Sequence, residues 1–172
     1  MTPGKHKTHI ICYDDFRWFS EDIKNNFGPA EYTVSTFMNV DEFMQCLEKE
    51  KDPDFCRIAV LGAHDTTENF VMIGRLASEI KALNNSTGVV VIGTADKIEE
   101  IKKVIPAEGY FCMPKNSNMA LRLLNIVKKH EGEYESIIYK RKRNSAVYSL
   151  IGLGSLVILL SVLAWIMLPK LF

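Results

Sequence analysis

No two cysteines in this chain have the CxxC spacing of a zinc or dithiol redox site, which sets those two chemistries aside. The four that occur, Cys12, Cys46, Cys56 and Cys112, lie within or beside apolar segments and are expected to be reduced, buried small hydrophobes. Net charge is missing as well. Lys plus Arg and Asp plus Glu balance at 21 each, so the whole-chain field offers no long-range attraction to nucleic acid or to an acidic surface. No long apolar stretch opens the chain: residues 1 to 9, "MTPGKHKTH", are polar, and a cleavable signal peptide is not expected. Internal repeats and low-complexity segments are also lacking. What remains is 172 residues, 47% of them hydrophobic, enough for one ordinary domain with its own core and something smaller beside it.

The smaller part is a run of 23 residues without a charge, Ala146 to Leu168, "AVYSLIGLGSLVILLSVLAWIML". As a helix it would measure roughly 34 Å, enough to cross a bilayer. Tyr148 and Trp165 lie near its two ends, where interfacial aromatics sit. A single transmembrane helix over 146–168 is expected, with a short tail at 169–172, making the chain tail-anchored. Lys140, Arg141, Lys142 and Arg143 precede this run, and only Lys170 follows it. Short flanks rich in Lys and Arg stay in the cytoplasm, so the N-terminal domain is expected there. The same basic run, within "YKRKRN", suits anionic headgroups at about 1 kcal/mol per residue, and no nucleic-acid partner is expected from it. Ser145, Ser149, Gly152 and Ser155 share one helix face, a pattern compatible with a weak homodimer.

Residues 1–132 form the larger unit, joined to the span by a basic linker at 133–145. Short β-branched runs alternate with segments of helical period. The strand-like runs are 8 to 13, 32 to 37, 56 to 62, 88 to 93 and 109 to 113. The helix-like segments are 16 to 27, 41 to 49, 68 to 83, 97 to 104 and 117 to 129. Runs apolar on both faces, such as "RIAVL" and "VVVI", are what a parallel sheet covered by helices requires. Right-handed crossovers then lead to an α/β, doubly wound, five-stranded parallel sheet of the receiver or flavodoxin kind. Gly28-Pro29, Asp41, Asn84-Asn85 and Pro106 punctuate the helices. Past Lys129, the spacing of Tyr134, Ile137 and Ile138 allows either a helix continuing through Gly132 or a short amphipathic linker.

The chemistry-bearing feature is "IICYDDF", where Asp14 and Asp15 end the first strand. Ligands of open parallel sheets bind outside the carboxyl ends of the strands. Adjacent carboxylates repel, and either a hard cation such as Mg²⁺ or a helix N-terminus can offset them. In the second case Asp15 caps the first helix and Asp14 is solvated.

Acidic pair, Thr94-Ala95 after the fourth strand, and Tyr110 and Pro114 on the fifth, in a fivefold βα order, resemble the receiver domain of bacterial two-component response regulators. The likeness covers about residues 8 to 130. It implies that Asp14 and Asp15 correspond to the Mg²⁺-binding pair, Thr94 to the hydroxyl that contacts the phosphoryl group, and Tyr110 to the switch aromatic. Two positions depart from the pattern. Gly62 stands where the phosphoacceptor aspartate belongs, and Met113 where the lysine belongs. Phosphoryl transfer needs an in-line nucleophilic oxygen and positive charge on the equatorial oxygens, and neither residue supplies them. The pocket Asp14, Asp15, Gly62, Thr94 and Met113 is therefore expected to be vestigial, with at most weak Mg²⁺ binding at Asp14 and Asp15 and no other cofactor. The expected role is a non-enzymatic pseudo-receiver that contacts signalling or membrane proteins. The apolar Ile98, Ile101 and Ile105, and the helix from Met119 to Val127, could supply that surface, although each of these residues reads more readily as part of the core. The alternative is a phosphorylatable receiver using Asp65 or the acidic pair, with Lys115 in place of the lost lysine.

Overall fold

The structure, a computed structural model, describes residues 8–49, 55–64, 66–105 and 109–167. Five strands, β1 (Thr8–Tyr13), β2 (Tyr32–Phe37), β3 (Cys56–Gly62), β4 (Gly88–Gly93) and β5 (Tyr110–Pro114), alternate with α1 (Ser20–Asn26), α2 (Val40–Lys49), α3 (Thr67–Leu83), α4 (Ile98–Val104) and α5 (Met119–Met167). The strands form one sheet in the order β2-β1-β3-β4-β5, and every pairing is parallel. The expected doubly wound sheet is present. Its order reverses between β1 and β3, so the connections leaving those two strands diverge and open a crevice beyond their carboxyl ends.

Side chains alternate across the sheet and build two cores. On one face Ile10, Cys12, Ile58, Val60, Val90, Ile92 and Met113 meet Phe19 and Ile23 beside α1 and Met119, Leu123 and Val127 of α5. On the other, Ile11, Ala59, Leu61, Val89 and Val91 meet α2, α3 and α4 through Phe43, Ile73, Ala77 and Ile101. Continuous apolar runs at β3 and β4 follow from burial on both faces, where each fully buried Ile or Val stabilises by about 1.5–3 kcal/mol. The two segments that could have supplied a partner surface follow their other reading and are part of this core. Ile98, Ile101 and Ile105 pack against α3 and the sheet, and Met119, Leu123 and Val127 are the inward stripe of α5. Cys12 and Cys56 are buried as expected, whereas Cys46 and Cys112 are half-buried, and no disulfide joins cysteines among the described residues.

Helix starts differ from the expectation in informative ways. Asp41 does not cap α2; its backbone N–H donates to Asn39 Oδ1 at 2.7 Å, so Asn39 takes that role two residues earlier. Thr66 caps α3 by accepting from the Asn69 N–H at 3.2 Å. Asn84 ends α3 as expected, its N–H donating to Ile80 O at 3.0 Å. Pro106 lies outside the described residues.

The chain divides into two compact units, 1–134 and 135–172. Of the two alternatives past Lys129, the structure has the continuous helix: α5 runs unbroken through Gly132. The helical segment in the second unit is long and apolar enough to cross a membrane. Leu150, Leu153, Ile158 and Leu160 are among its exposed apolar side chains. Its serine hydroxyls bond back to the helix, Ser149 to Ser145 O at 3.0 Å, Ser155 to Gly152 O at 2.8 Å and Ser161 to Val157 O at 2.9 Å. Such self-satisfaction lets a polar side chain face hydrocarbon. Lys140, Arg141 and Arg143 are exposed, and the side chain of Lys142 lies outside the described set.

Candidate functional site: a carboxylate pair facing a histidine

β1 ends at Tyr13, and Asp14 extends its pairing by one step, its N–H donating to Phe37 O at 2.9 Å. The chain then turns. Arg17 N–H reaches back to Asp14 O at 3.3 Å, and Arg17 adopts a left-handed φ of 53°, a strained conformation for a residue of its size. The turn brings the start of α1 down onto Asp14, whose Oδ2 accepts from the backbone N–H of Phe19 at 2.9 Å and of Ser20 at 3.0 Å. Asp14, not Asp15, therefore neutralises the first turn of α1, from five residues upstream. It is also buried, 1% exposed, rather than solvated. The turn delays α1 to Ser20, four residues later than the hydrophobic period implies.

Across the crevice, β3 ends at Gly62. Ala63 continues the ladder by donating to Ile92 O at 2.8 Å, and His64 N–H is held by Asn69 Oδ1 at 2.8 Å, from the first turn of α3. His64 turns back toward the acidic pair. Its Nε2 lies 3.0 Å from Asp15 Oδ1 and 3.9 Å from Asp14 Oδ1. The imidazole is edged by Phe16, with ring centroids 4.6 Å apart, and by Trp18 at 5.2 Å. Asp14 Oδ1, Asp15 Oδ1 and His64 Nε2 are each buried and make no hydrogen bond. One donor atom from each of the three residues lies within 4.8 Å of the other two. Neighbouring groups feel the acidic pair: burial and then Asp14 push the Cys12 thiol well above its ordinary range, and burial and then Asp15 push the Tyr13 phenol upward. Cys12 is thus held as an unreactive thiol. A cleft of about 370 Å³, lined by Asp14, Arg17, Ser20, Lys24, Thr36 and Glu42, opens beside Asp14.

Gly62 is not merely short of an oxygen; any side chain there would have to displace its neighbours. A Cβ built there would lie 2.9 Å from Phe19 Cε1 and 3.4 Å from His64 Nε2. The aromatic ring brought in by the turn before α1 occupies the space an acceptor side chain would need. Met113, 3% exposed, points into the α1/α5 core. Lys115 does not replace the missing charge at that position: its ammonium donates to the backbone carbonyl of Trp18 and lies 4.7 Å from the centroid of the Trp18 ring. Thr94 is half-buried just past β4, on the same edge of the sheet. Tyr110 opens β5 opposite Val89, at the other end of the strand from Pro114, with Lys81 Nζ 5.9 Å from its ring centroid. Four residues of strand put it about 13 Å from the β5 carboxyl end. Asp65, the alternative acceptor, lies outside the described residues. The residue that sequence reasoning missed is His64, two positions past a strand end in "LGAHD".

The sequence matches no protein-family profile and no curated protein. Solved structures do match in fold. A signal receiver domain of an HD-domain-containing protein from Pseudomonas fluorescens Pf-5 is 17% identical, with 74% of this chain and 99% of that one covered, at a TM-score of 0.57. A CheY-like response regulator receiver domain protein from Methanospirillum hungatei JF-1 is 17% identical, with 76% and 98% covered, at 0.53. An adenylate cyclase from Rhodopirellula baltica is 11% identical, with 80% and 96% covered, at 0.61. At such identities the likeness defines the fold alone, and that fold is the CheY-like receiver fold.

Proposed function

We propose that this protein is a membrane-anchored pseudo-receiver, an interaction module in signalling that takes no phosphoryl group at the usual position and catalyses no reaction. The observation that carries the reading is the close approach of Phe19 to Gly62, which leaves the acceptor position without an oxygen and closed to any side chain that does not displace its neighbours. Met113, sunk into the core, supplies no charge for the phosphoryl oxygens. The apolar segment of α5 is the anchor, and the basic residues 140–143 hold its near end against anionic lipid on the cytoplasmic side. Partners are then signalling or membrane proteins within reach of that surface. Incubation of the purified chain with acetyl phosphate and Mg²⁺ is expected to leave it unlabelled, and beryllofluoride to leave its spectrum unchanged. Stable, acid-labile phosphate on the protein would overturn the reading and direct attention to Asp65 or the acidic pair.

A further inference from the structure

We propose that Asp14, Asp15 and His64 form a binding site for one divalent first-row transition ion, of which Zn²⁺ is the type, in place of the Mg²⁺ that the receiver resemblance implies. The first argument is the set of unmet donors. Buried side-chain oxygens and ring nitrogens in folded proteins almost always find a partner, and exceptions mark an ion, a water or a catalytic role. Here three of them converge: Asp14 Oδ1, Asp15 Oδ1 and His64 Nε2, each shielded from solvent and none hydrogen-bonded. Asp14 is the decisive member, because it is 1% exposed and its second oxygen is already committed to the Phe19 and Ser20 amides. Asp15 Oδ1 lies 3.0 Å from His64 Nε2, close enough for an ion pair with a protonated ring, but Asp14 Oδ1, at 3.9 Å, is still left without a hydrogen-bond partner.

The second argument is geometric. Metal bonds of about 2.0–2.2 Å place adjacent ligands of one shell roughly 3–3.5 Å apart. The His64 Nε2 separations from Asp15 and Asp14, 3.0 and 3.9 Å, bracket that range. Each ligand is also held from behind. The α1 amides fix the Asp14 carboxylate. Asn69 fixes the backbone of His64, and the rings of Phe16 and Trp18 flank its imidazole. Such outer contacts orient ligands before the ion arrives.

The third argument selects the metal. Two carboxylates alone suit Mg²⁺, which takes oxygen ligands and sheds water reluctantly. An imidazole nitrogen shifts preference toward Zn²⁺, Co²⁺, Ni²⁺ or Fe²⁺. Two carboxylates and one neutral imidazole neutralise a divalent ion, and three protein ligands leave at least one position open to water or an external ligand. This site stands whether or not the chain is phosphorylated.

The test is calorimetric titration of the untagged, chelator-stripped full chain in detergent with Zn²⁺ and, separately, with Mg²⁺. Binding of one Zn²⁺ is expected at least about 100-fold tighter than Mg²⁺, and His64→Ala and Asp15→Asn are each expected to weaken Zn²⁺ by about 10- to 100-fold or more. Far-UV circular dichroism of each metal-free variant checks the fold. Asp15 is 28% exposed, so its variant carries the test if the His64 variant misfolds. Zn²⁺ binding no tighter than Mg²⁺, or Zn²⁺ affinity unchanged in the folded variants, would overturn the assignment.

Discussion

A methyl group added at Gly62 probes the packing that closes the acceptor position. Its carbon would lie 2.9 Å from Phe19 Cε1, 3.4 Å from His64 Nε2 and 3.5 Å from Tyr13 O, where unstrained carbon pairs prefer about 3.5–4.0 Å. Phe19 is poorly placed to retreat. It is 1% exposed, and its own N–H is tied to Asp14. Overpacking of this kind costs about 1–3 kcal/mol. Replacing a glycine whose φ is negative recovers about 0.4–1 kcal/mol through the unfolded chain. Gly62→Ala is therefore expected to lose about 1–2 kcal/mol net, or on the order of 3–8 °C in Tm for a unit of this size. Phe19→Leu, which withdraws the ring edge, should relieve most of that loss, giving a coupling energy of about 1 kcal/mol in a double-mutant cycle. Urea titration of the full chain in mild detergent, read by Trp18 fluorescence in a Trp165→Phe background, measures all four corners. A Gly62→Ala protein as stable as the wild type, or one equally destabilised in the Phe19→Leu background, would refute the argument. Gly62→Asp should be worse still and should not restore phosphorylation.

Asp14→Ala strips two buried α1 amides of their acceptor and is expected to cost about 1–3 kcal/mol, whereas Asp14→Asn, which keeps one carbonyl oxygen, should cost less; urea midpoints compare the two. Burial lowers the pKa of His130 below its ordinary 6.5, with the Ser86 carbonyl 3.0 Å from Nε2 acting in the opposite sense. Because the unfolded state binds this proton more readily, its contribution is intact above the unfolded pKa and is lost as pH falls through the lower folded value. His130→Gln should flatten that part of the stability curve when urea midpoints are measured at a series of pH values below neutrality. A fragment ending at Tyr134 is expected to melt cooperatively without the apolar helix, since both cores lie within residues 8–134; a broad, non-cooperative melt would refute this. Protease added to sealed inverted vesicles should remove the N-terminal unit, and added to right-side-out vesicles should spare it.

The periodicities of β3, β4 and α3 are strong enough to be read directly, because burial on both sheet faces demands unbroken apolar runs and a helix on a core demands a stripe. Those demands are local in sequence, so the doubly wound sheet and the long apolar helix were legible from the sequence alone. The start of α1 was not, since the group that caps it lies five residues upstream across a turn that depends on a left-handed Arg17. The inward facing of Ile98, Ile101 and Met119 was the readier reading but not a forced one, because a short amphipathic segment looks the same whether its stripe meets a sheet or a partner. The clearest case is His64. Nothing near it in sequence ties it to the acidic pair: the carboxylate beside its Nε2 belongs to a residue 49 positions earlier, and they meet only because β1 and β3 are neighbours whose connections diverge at the carboxyl edge. Element formation answers to local periodicity, while the meeting of loop side chains depends on strand order and on the turn each loop takes, which tertiary packing alone decided.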